Sequence, residues 1–440
     1  MVDSTVTIER MCYGGAGFGR VEGKACFVPF TAPGDQARIR VVKEKRSYME
    51  GELQELVTAS PLRVEPPCPF FGICGGCNWQ HLPYEEQLKQ KGEIFAGNLS
   101  RIGRVQSNDL LPVAGSPKQY GYRSRIQLKV GKKKGALMLG FFRTSSHDII
   151  DLGEVGCAIA DPLLNQITAE LRALLTRLPD LESISQIDLS IGDDAQSIAI
   201  VHFAGKNPEK LSEHLLAARS ELPSVHGLFL RSGAKAQIEQ IFGIDTLGYT
   251  IPAGLFPGSR EMRLNFSRGG FSQVNYLQNF ELIRTVWQWG GFTGKERVLD
   301  LYCGNGNISV PIAPYVAELI GVEGYAPSIQ DAVANAARNR VANVSFQVSD
   351  AALAVRRFAK QGERFDLVIL DPPRAGAEAA GDIASLNPEK IIYVSCDPAT
   401  LSRDLALICD RGYRVTRSQP VDMFPQTYHL ESVTELIRER

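Results

Sequence analysis

A chain of 440 residues, 44% hydrophobic and 22% charged, is too long for one ordinary core and has the composition of a soluble protein of two or three domains. Its formal net charge of −1 excludes nucleic-acid binding through a global field, so any such binding must use local basic patches. The opening MVDSTVTIER lacks a basic-then-apolar signal pattern, and no run reaches the roughly 18 apolar residues of a membrane span, so a cytoplasmic protein with reduced thiols and no membrane contact is expected.

Residues 1–60 alternate short β-rich runs with glycine and proline turns. FGRVEGKACFVPF reads as two strands joined at Glu-Gly-Lys, and APGD as a further turn. About five short strands in so few residues predict a small barrel of the oligonucleotide-binding kind. Arg38, Arg40, Lys43, Lys45 and Arg46 fall on or just after one strand, where they are expected to touch RNA. The alternative is a solvated edge strand protected by its charges.

The proline-rich SPLRVEPPCPFFG marks a boundary. Residues 61–262 then read as mixed α+β, with strand-like RIQLKV, LMLGFFR and QSIAIVHFA and a helix at DPLLNQITAELRALLTRL. GKKKG (131–135) reads as a hairpin tip whose Lys132, Lys133 and Lys134 could grip phosphates. In a reducing compartment the nine cysteines suit ligands, catalytic groups or core filler better than disulfides. Cys68, Cys74 and Cys77 crowd into one glycine-bearing loop, and Cys157 is the only later cysteine before residue 263. Three clustered thiols plus a distant one suit a four-iron cluster. Zinc held by four cysteines is the rival, although its sites usually pair two short-spaced knuckles.

From residue 263 the texture changes. RVLDL, ELIGVEG, VSFQVSD, FDLVILD and KIIYVSC alternate with helix-period segments such as SIQDAVANAARNR. This predicts a Rossmann-like parallel sheet covered on both faces, with ligands bound beyond the carboxyl ends of its strands. Those ends carry the loop Gly304-Asn305-Gly306, whose backbone a ligand can approach closely. Glu323, about 20 residues on, is placed to bind two ribose hydroxyls, and Asp350 to reach an adenine edge. The glycine loop lacks the third glycine of a dinucleotide fingerprint, and no Walker lysine follows it. Triphosphate hydrolysis is thereby disfavoured, while an NAD enzyme or a site-less α/β domain stays open.

Asp371-Pro372-Pro373-Arg374 follows the fourth strand. Amino-methyltransferases carry there an acid or amide, two prolines and an aromatic that together hold an exocyclic amine. Arg374 replaces the aromatic, which moves the chemistry to the next strand, ending at Cys396. A cysteine in an apolar run is ordinarily packing. The Ser-Cys-Asp-Pro turn at a strand's carboxyl end, beside a cofactor loop, favours a nucleophile instead. Carbon-5 of uracil attacks a methyl donor only after a thiolate has added to carbon-6, and a base must then remove the carbon-5 proton. Glu431, close to His429 in DMFPQTYHLESV, is the candidate base, whereas Cys303 and Cys409 read as filler.

FSQVN (271–275), LDLYCGNGN, GVEG, LDPPRAG, YVSCDPATLSRD and HLES, in that order, resemble the RNA uracil-5-methyltransferase family. These are class I, S-adenosylmethionine-dependent enzymes acting on uridine in tRNA or 23S rRNA. The resemblance spans nearly the whole chain, since residues 1–60 resemble the family's RNA-binding TRAM barrel. It implies three domains: the TRAM barrel (1–60), a central α+β domain bearing the cysteine loop (61–262) and the methyltransferase domain (263–440). It makes Cys396 the nucleophile and Glu431 the base, with Gln273, Tyr302, Asn307, Glu323, Asp350 and Asp371 contacting S-adenosylmethionine. It also tips Cys68, Cys74, Cys77 and Cys157 toward a [4Fe-4S] cluster, and the substrate toward 23S rRNA, bound by a monomer that flips the uridine out. Arg123, Arg125 and Arg374 join the three lysines as expected RNA contacts. A tRNA substrate and a non-catalytic RNA-binding or folding factor remain the alternatives. Radical S-adenosylmethionine chemistry would want Cx3Cx2C and an open fourth iron. Two positions, Tyr302 and Pro373, stand where the family often has phenylalanine and alanine. Asp397 stands where it has asparagine, and a carboxylate beside a thiolate raises the thiol pKa unless it is turned away or paired.

Overall fold

The structure, a computed structural model, describes residues 3–101, 105, 109–178, 180–233, 237–270 and 272–439. Phe271 of the FSQVN segment lies outside the described residues. Strands β1 (Asp3–Met11), β2 (Gly17–Val21), β3 (Lys24–Val28), β4 (Gln36–Glu44) and β5 (Tyr48–Thr58) close into a barrel in the order β1-β2-β3-β5-β4. Glu22 and Gly23 make the β2–β3 turn, both at positive φ (49° and 81°), the geometry of a tight two-residue hairpin. Val6, Ile8, Cys26, Val28, Ala37 and Ile39 fill the interior. On the outer face the register sets Arg38 opposite Glu55, Arg40 opposite Glu52 and Lys43 opposite Glu50, and each pair is ion-paired. The basic stripe expected to touch RNA is therefore matched by glutamates at three of its five positions. The strand is not the exposed edge of the alternative reading either, since β4 pairs with both β1 and β5 in the closed barrel.

After α1 (Tyr84–Arg101), a seven-stranded sheet forms from β6 (Arg125–Lys133), β7 (Ala136–Phe142), β8 (Ile149–Asp151), β9 (Ile184–Ile191), β10 (Ser197–Phe203), β11 (Gly227–Ser232) and β12 (Gln237–Gly243). Its order is β12-β11-β10-β9-β6-β7-β8, flanked by α2 (Pro162–Leu175) and α3 (Pro208–Ala217). Lys134 and Gly135 turn the β6–β7 hairpin at φ 52° and 85°, so GKKKG is the tip its composition predicts. A two-stranded unit, β13 (Thr246–Ile251) with β14 (Met262–Ser267), follows.

The third part comprises α4 (Tyr276–Gly290), β15 (Arg297–Leu301), α5 (Ser309–Ile312), β16 (Glu318–Glu323), α6 (Ala326–Arg338), β17 (Val344–Val348), α7 (Ala351–Lys360), β18 (Leu367–Leu370), β19 (Lys390–Ser395), α8 (Pro398–Cys409), β20 (Tyr413–Val421) and β21 (Glu431–Arg438). The strands run β17-β16-β15-β18-β19-β21-β20. The first five are parallel, and β21 enters antiparallel between β19 and β20. None of the described helices is long and apolar enough to cross a membrane.

Packing does not follow the expected linear boundaries. The 262/263 division falls inside β14, whose Leu264 and Phe266 bury in one core with Leu282, Ile369 and Ile392 of the C-terminal part. Helix α1 likewise sends Phe95 and Leu99 into the C-terminal core. Its buried face is polar at Gln87, Gln90 and Lys91. Lys91 is fully buried and its Nζ donates to Asp422 Oδ1 (2.5 Å) and the Phe424 carbonyl (3.1 Å), while the Tyr84 hydroxyl donates to Asp422 Oδ2 (2.8 Å). Removing one member of such a pair leaves the other charged and dry. Lys91→Met should cost about 3–5 kcal/mol, read as a lower urea midpoint at unchanged m-value.

Candidate active site

Cys396 leaves β19 one residue beyond Ser395. That strand pairs antiparallel with β21, Ser395 facing Ser432, so the next register position sets Cys396 against Glu431. Sequence separation alone could not show this meeting. Both groups have their pKa raised. Burial pushes the half-buried Cys396 thiol up to about 12, with the Glu431, Asp371 and Asp397 carboxylates adding to the rise and Arg374 opposing it. Burial, and then Asp371, raise the Glu431 carboxyl well above the ordinary range, again against Arg374. Arg374 itself is exposed.

The loop carrying Glu431 is clamped from outside the C-terminal part. Gln87 on α1 exchanges side-chain and backbone hydrogen bonds with Gln426, and the backbone N–H groups of Asn78 and Trp79 donate to the Gln426 carbonyl. The Tyr122 hydroxyl donates to the Pro425 carbonyl (3.0 Å). The His429 ring meets that of Tyr428 at 4.1 Å, tilted by 36°, and burial with neighbouring Arg374, Lys91 and Arg123 pushes its imidazole down to about 4. It is therefore neutral at ordinary pH. Sequence reasoning missed Gln87 and Lys91 as site supports. Their signal was polar side chains at helical spacing on the face that also bears Ile94 and Phe95.

Asp397 has no free oxygen to turn toward the thiol. Oδ1 accepts from the Ala399 and Thr400 N–H groups (both 2.9 Å) as the N-cap of α8, and Oδ2 accepts from the Tyr13 hydroxyl (2.6 Å) of the barrel.

On the cofactor side, Glu323 Oε2 faces the Gly304 N–H (3.4 Å) and Oε1 accepts from the Tyr325 N–H (2.8 Å). Gly304 sits at φ 53°, and a Cβ there would meet nothing within 4 Å, so this backbone opens onto free space. Tyr302 lies at φ 65°, a conformation disfavoured for a bulky residue, with its N–H bonded to the Val322 carbonyl (2.8 Å). The Asn307 amide is committed elsewhere: it pairs reciprocally with Asn279 (2.8 and 2.9 Å) and accepts from Tyr249 (2.7 Å). Asp350 is exposed and caps α7 through Leu353 N–H (2.9 Å), leaving its other oxygen to a ligand. Gln273 is buried at the β6 end, its carbonyl near the Ser124 hydroxyl. Burial pushes Asp371 up to about 7. Asp300, which sequence reasoning passed over, is also raised to about 7 by burial, and its Oδ1 has no partner among the described residues. An acid in the middle of the apolar run RVLDL was the available signal.

Cys68, Cys74, Cys77 and Cys157 are unbridged and line one cavity of about 360 Å³ with Arg123, Lys129 and Arg143 at its wall. Cys74 bridges to Arg143 and the Gly75 N–H donates to the Phe142 carbonyl, tying the three-cysteine loop to the end of β7. Asn165 of α2 brackets the Cys157 backbone through both its amide atoms. Burial raises the Cys77 thiol to about 12, and the other three thiols push in the same direction. Among the described residues no three His, Cys, Asp or Glu side chains converge tightly enough to hold one metal ion. Arg123 lies on this cavity wall rather than on an open RNA-facing surface, and Arg125 donates to the Gly270 carbonyl (3.2 Å).

A family model described as tRNA (Uracil-5-)-methyltransferase matches residues 83–439, and a TRAM domain model matches residues 4–54. A 23S rRNA (uracil(1939)-C(5))-methyltransferase RlmD of Klebsiella pneumoniae is 35% identical over 436 residues, covering 98% of this chain and 94% of the relative. The RlmD of Histophilus somni is 32% identical over 437 residues, 99% of this chain and 96% of that one. The crystal structure of Pyrococcus abyssi tRNA (uracil-54, C5)-methyltransferase in complex with S-adenosyl-L-homocysteine has the same fold, with a TM-score of 0.76 at 24% identity over 99% of this chain and 100% of that one. The barrel, the mixed sheets and the placement of Cys396 at a strand's carboxyl end meet in one conclusion: the chain belongs to the tRNA (uracil-5-)-methyltransferase family of RNA uracil-C5-methyltransferases.

Proposed function

We propose that this enzyme methylates carbon-5 of one uridine in 23S rRNA, with Cys396 as nucleophile and Glu431 as base. What supports the roles is the β19–β21 register: Ser395 pairs with Ser432, which brings Cys396, the residue after β19, next to Glu431, the first residue of β21, and the Glu431 carboxylate acts on the thiol. Full-length similarity to RlmD relatives supports 23S rRNA over tRNA. S-adenosylmethionine, when bound, supplies an electrophilic methyl group. Glu323, Asp350, Asp371, Tyr302 and Gln273 would hold it beside the open glycine backbone at Gly304, whereas Asn307 would contribute through its backbone. The Cys396 thiol gives up its proton to solvent and the thiolate Sγ bonds to carbon-6 of the uracil, breaking the carbon-5–carbon-6 double bond and moving its electron pair onto carbon-5, which takes the methyl group. After methylation Glu431 accepts the carbon-5 proton, the carbon-6–sulfur bond breaks and the thiolate leaves. Arg374 offsets negative charge at this centre.

The four thiols also fit a [4Fe-4S] cluster. What supports this reading is that the four thiols are unbridged and line one cavity whose wall also carries cations that suit an anionic cluster, although among the described residues they do not converge into a metal-holding group. The buried Arg123 Nε has no partner among the described residues, as a donor waiting for an acceptor would. Two measurements test the proposal on protein purified without oxygen. Purified enzyme should be brown with four irons per chain, and it should transfer label from S-adenosylmethionine to 23S rRNA from a deletion strain. Label appearing in tRNA alone would refute the rRNA assignment, and colourless, zinc-containing active protein the cluster.

A further inference from the structure

Tyr13 stands in the β1–β2 loop of the barrel, 384 residues from Asp397, yet its hydroxyl donates to Asp397 Oδ2 at 2.6 Å. The loop is pinned, not draped. The Cys12 N–H donates to the Ala16 carbonyl (2.8 Å), the Gly15 N–H to the Cys12 carbonyl (3.0 Å), and Trp79 Nε1 to the Gly15 carbonyl (3.1 Å). The Met11 N–H, at its base, donates to Gln90 Oε1 of α1 (2.8 Å). Gly15 lies so close to Asn78 and Tyr428 that a Cβ there would meet both at 3.0 Å. The Tyr13 ring meets Tyr428 edge-on at 5.4 Å, and the Tyr428 ring lies tilted against His429, two residues before Glu431. A barrel residue is thus built into the wall of the methylation site.

We propose that Tyr13 is a positioning residue for the Cys396 nucleophile, acting by holding the Asp397 carboxylate away from the thiol and partly offsetting its charge. This rests on the role proposed above for Cys396. Asp397 directly follows that cysteine, and a free carboxylate oxygen there would stabilise the thiol against ionisation. Four donors engage it instead: the Ala399 and Thr400 N–H groups and the Thr400 hydroxyl on Oδ1, all local to the helix end, and the tyrosine hydroxyl alone on Oδ2. The helix N–H groups come with any N-cap, but the donor on Oδ2 is supplied only by the barrel. The charged groups facing Cys396 are Glu431 from β21, Asp371 and Arg374 from the segment after β18, and Asp397 at the start of α8. Tyr13 itself faces Asp397, Tyr428 and Arg374. Of the three carboxylates, Asp397 is the one bonded to another domain, so the barrel's seat on the catalytic part feeds directly into the reactivity of the thiol.

The test uses full-length holoprotein and reads alkylation of Cys396 by iodoacetamide against pH, by mass spectrometry of its peptide, without RNA. Tyr13→Phe keeps the ring and its contact with Tyr428 while removing the donor. Its alkylation profile should move to higher pH by about 0.5 unit, and single-turnover methyl transfer near pH 7 should fall by about threefold. Asp397→Asn retains an oxygen for the helix cap but carries no charge. In that background adding Tyr13→Phe should shift the profile no further. Superimposed profiles for wild type and Tyr13→Phe, or an equal shift in the Asp397→Asn background, would overturn the inference. Failure of the underlying role is separate: methyl transfer by Cys396→Ala would remove it whatever the alkylation profiles do.

Discussion

Cys396→Ala should bind 23S rRNA with near wild-type affinity and methylate it at least roughly 10⁴-fold more slowly, because nothing else in the site can load electron density onto carbon-5. The thiol is half-buried at the end of β19, and its loss removes few packing contacts, so the variant should melt with the wild type. That separation of folding from turnover is what a nucleophile predicts and a packing cysteine does not. A fluorinated uridine in the substrate should cross-link to wild-type protein and leave Cys396→Ala unlinked, as seen on a denaturing gel. Ordinary turnover by the alanine variant would exclude the thiol route.

Glu431→Gln is expected to slow turnover by about 10²–10⁴-fold and to accumulate an RNA–protein adduct that survives denaturation. The amide occupies the same place on β21 opposite Cys396 but cannot take a proton from carbon-5, so methylation proceeds and elimination stalls. The wild-type carboxyl is held well above its ordinary pKa by burial and by Asp371, and the thiol is raised to about 12. Each therefore retains its proton at low pH, and each must be deprotonated to act. Wild-type turnover should accordingly rise with pH through the neutral range, where an acid-catalysed reaction would fall. Free release of methylated RNA by Glu431→Gln would assign the base elsewhere.

Local signals carried much of this reading and long-range ones did not. The Glu22-Gly23 turn, the apolar parallel strands and the cysteine at the end of KIIYVSC were legible because turn chemistry and hydrophobic period act over a few residues. The ion pairs of Arg38, Arg40 and Lys43 were not, since the glutamates that neutralise them depend on the β4–β5 register. Asp397 looked like an obstacle to its neighbour until the barrel's Tyr13 closed on it from the other end of the sequence. The pairing of the Asn307 amide with Asn279 of α4 was likewise invisible in the sequence, the two lying 28 residues apart. The allegiance of α1 to the C-terminal core followed from Lys91 and Asp422, a buried pair 331 residues apart.

The strand that brings Glu431 is translated after both strands it separates. A ribosome that has made β19 and β20 has placed the sulfur but neither the carboxylate nor the inner strand that joins the sheet's edge to its body. Early termination therefore costs the enzyme its architecture and its proton acceptor together. The sheet therefore closes around its edge strand only once the last strand of the chain has been made.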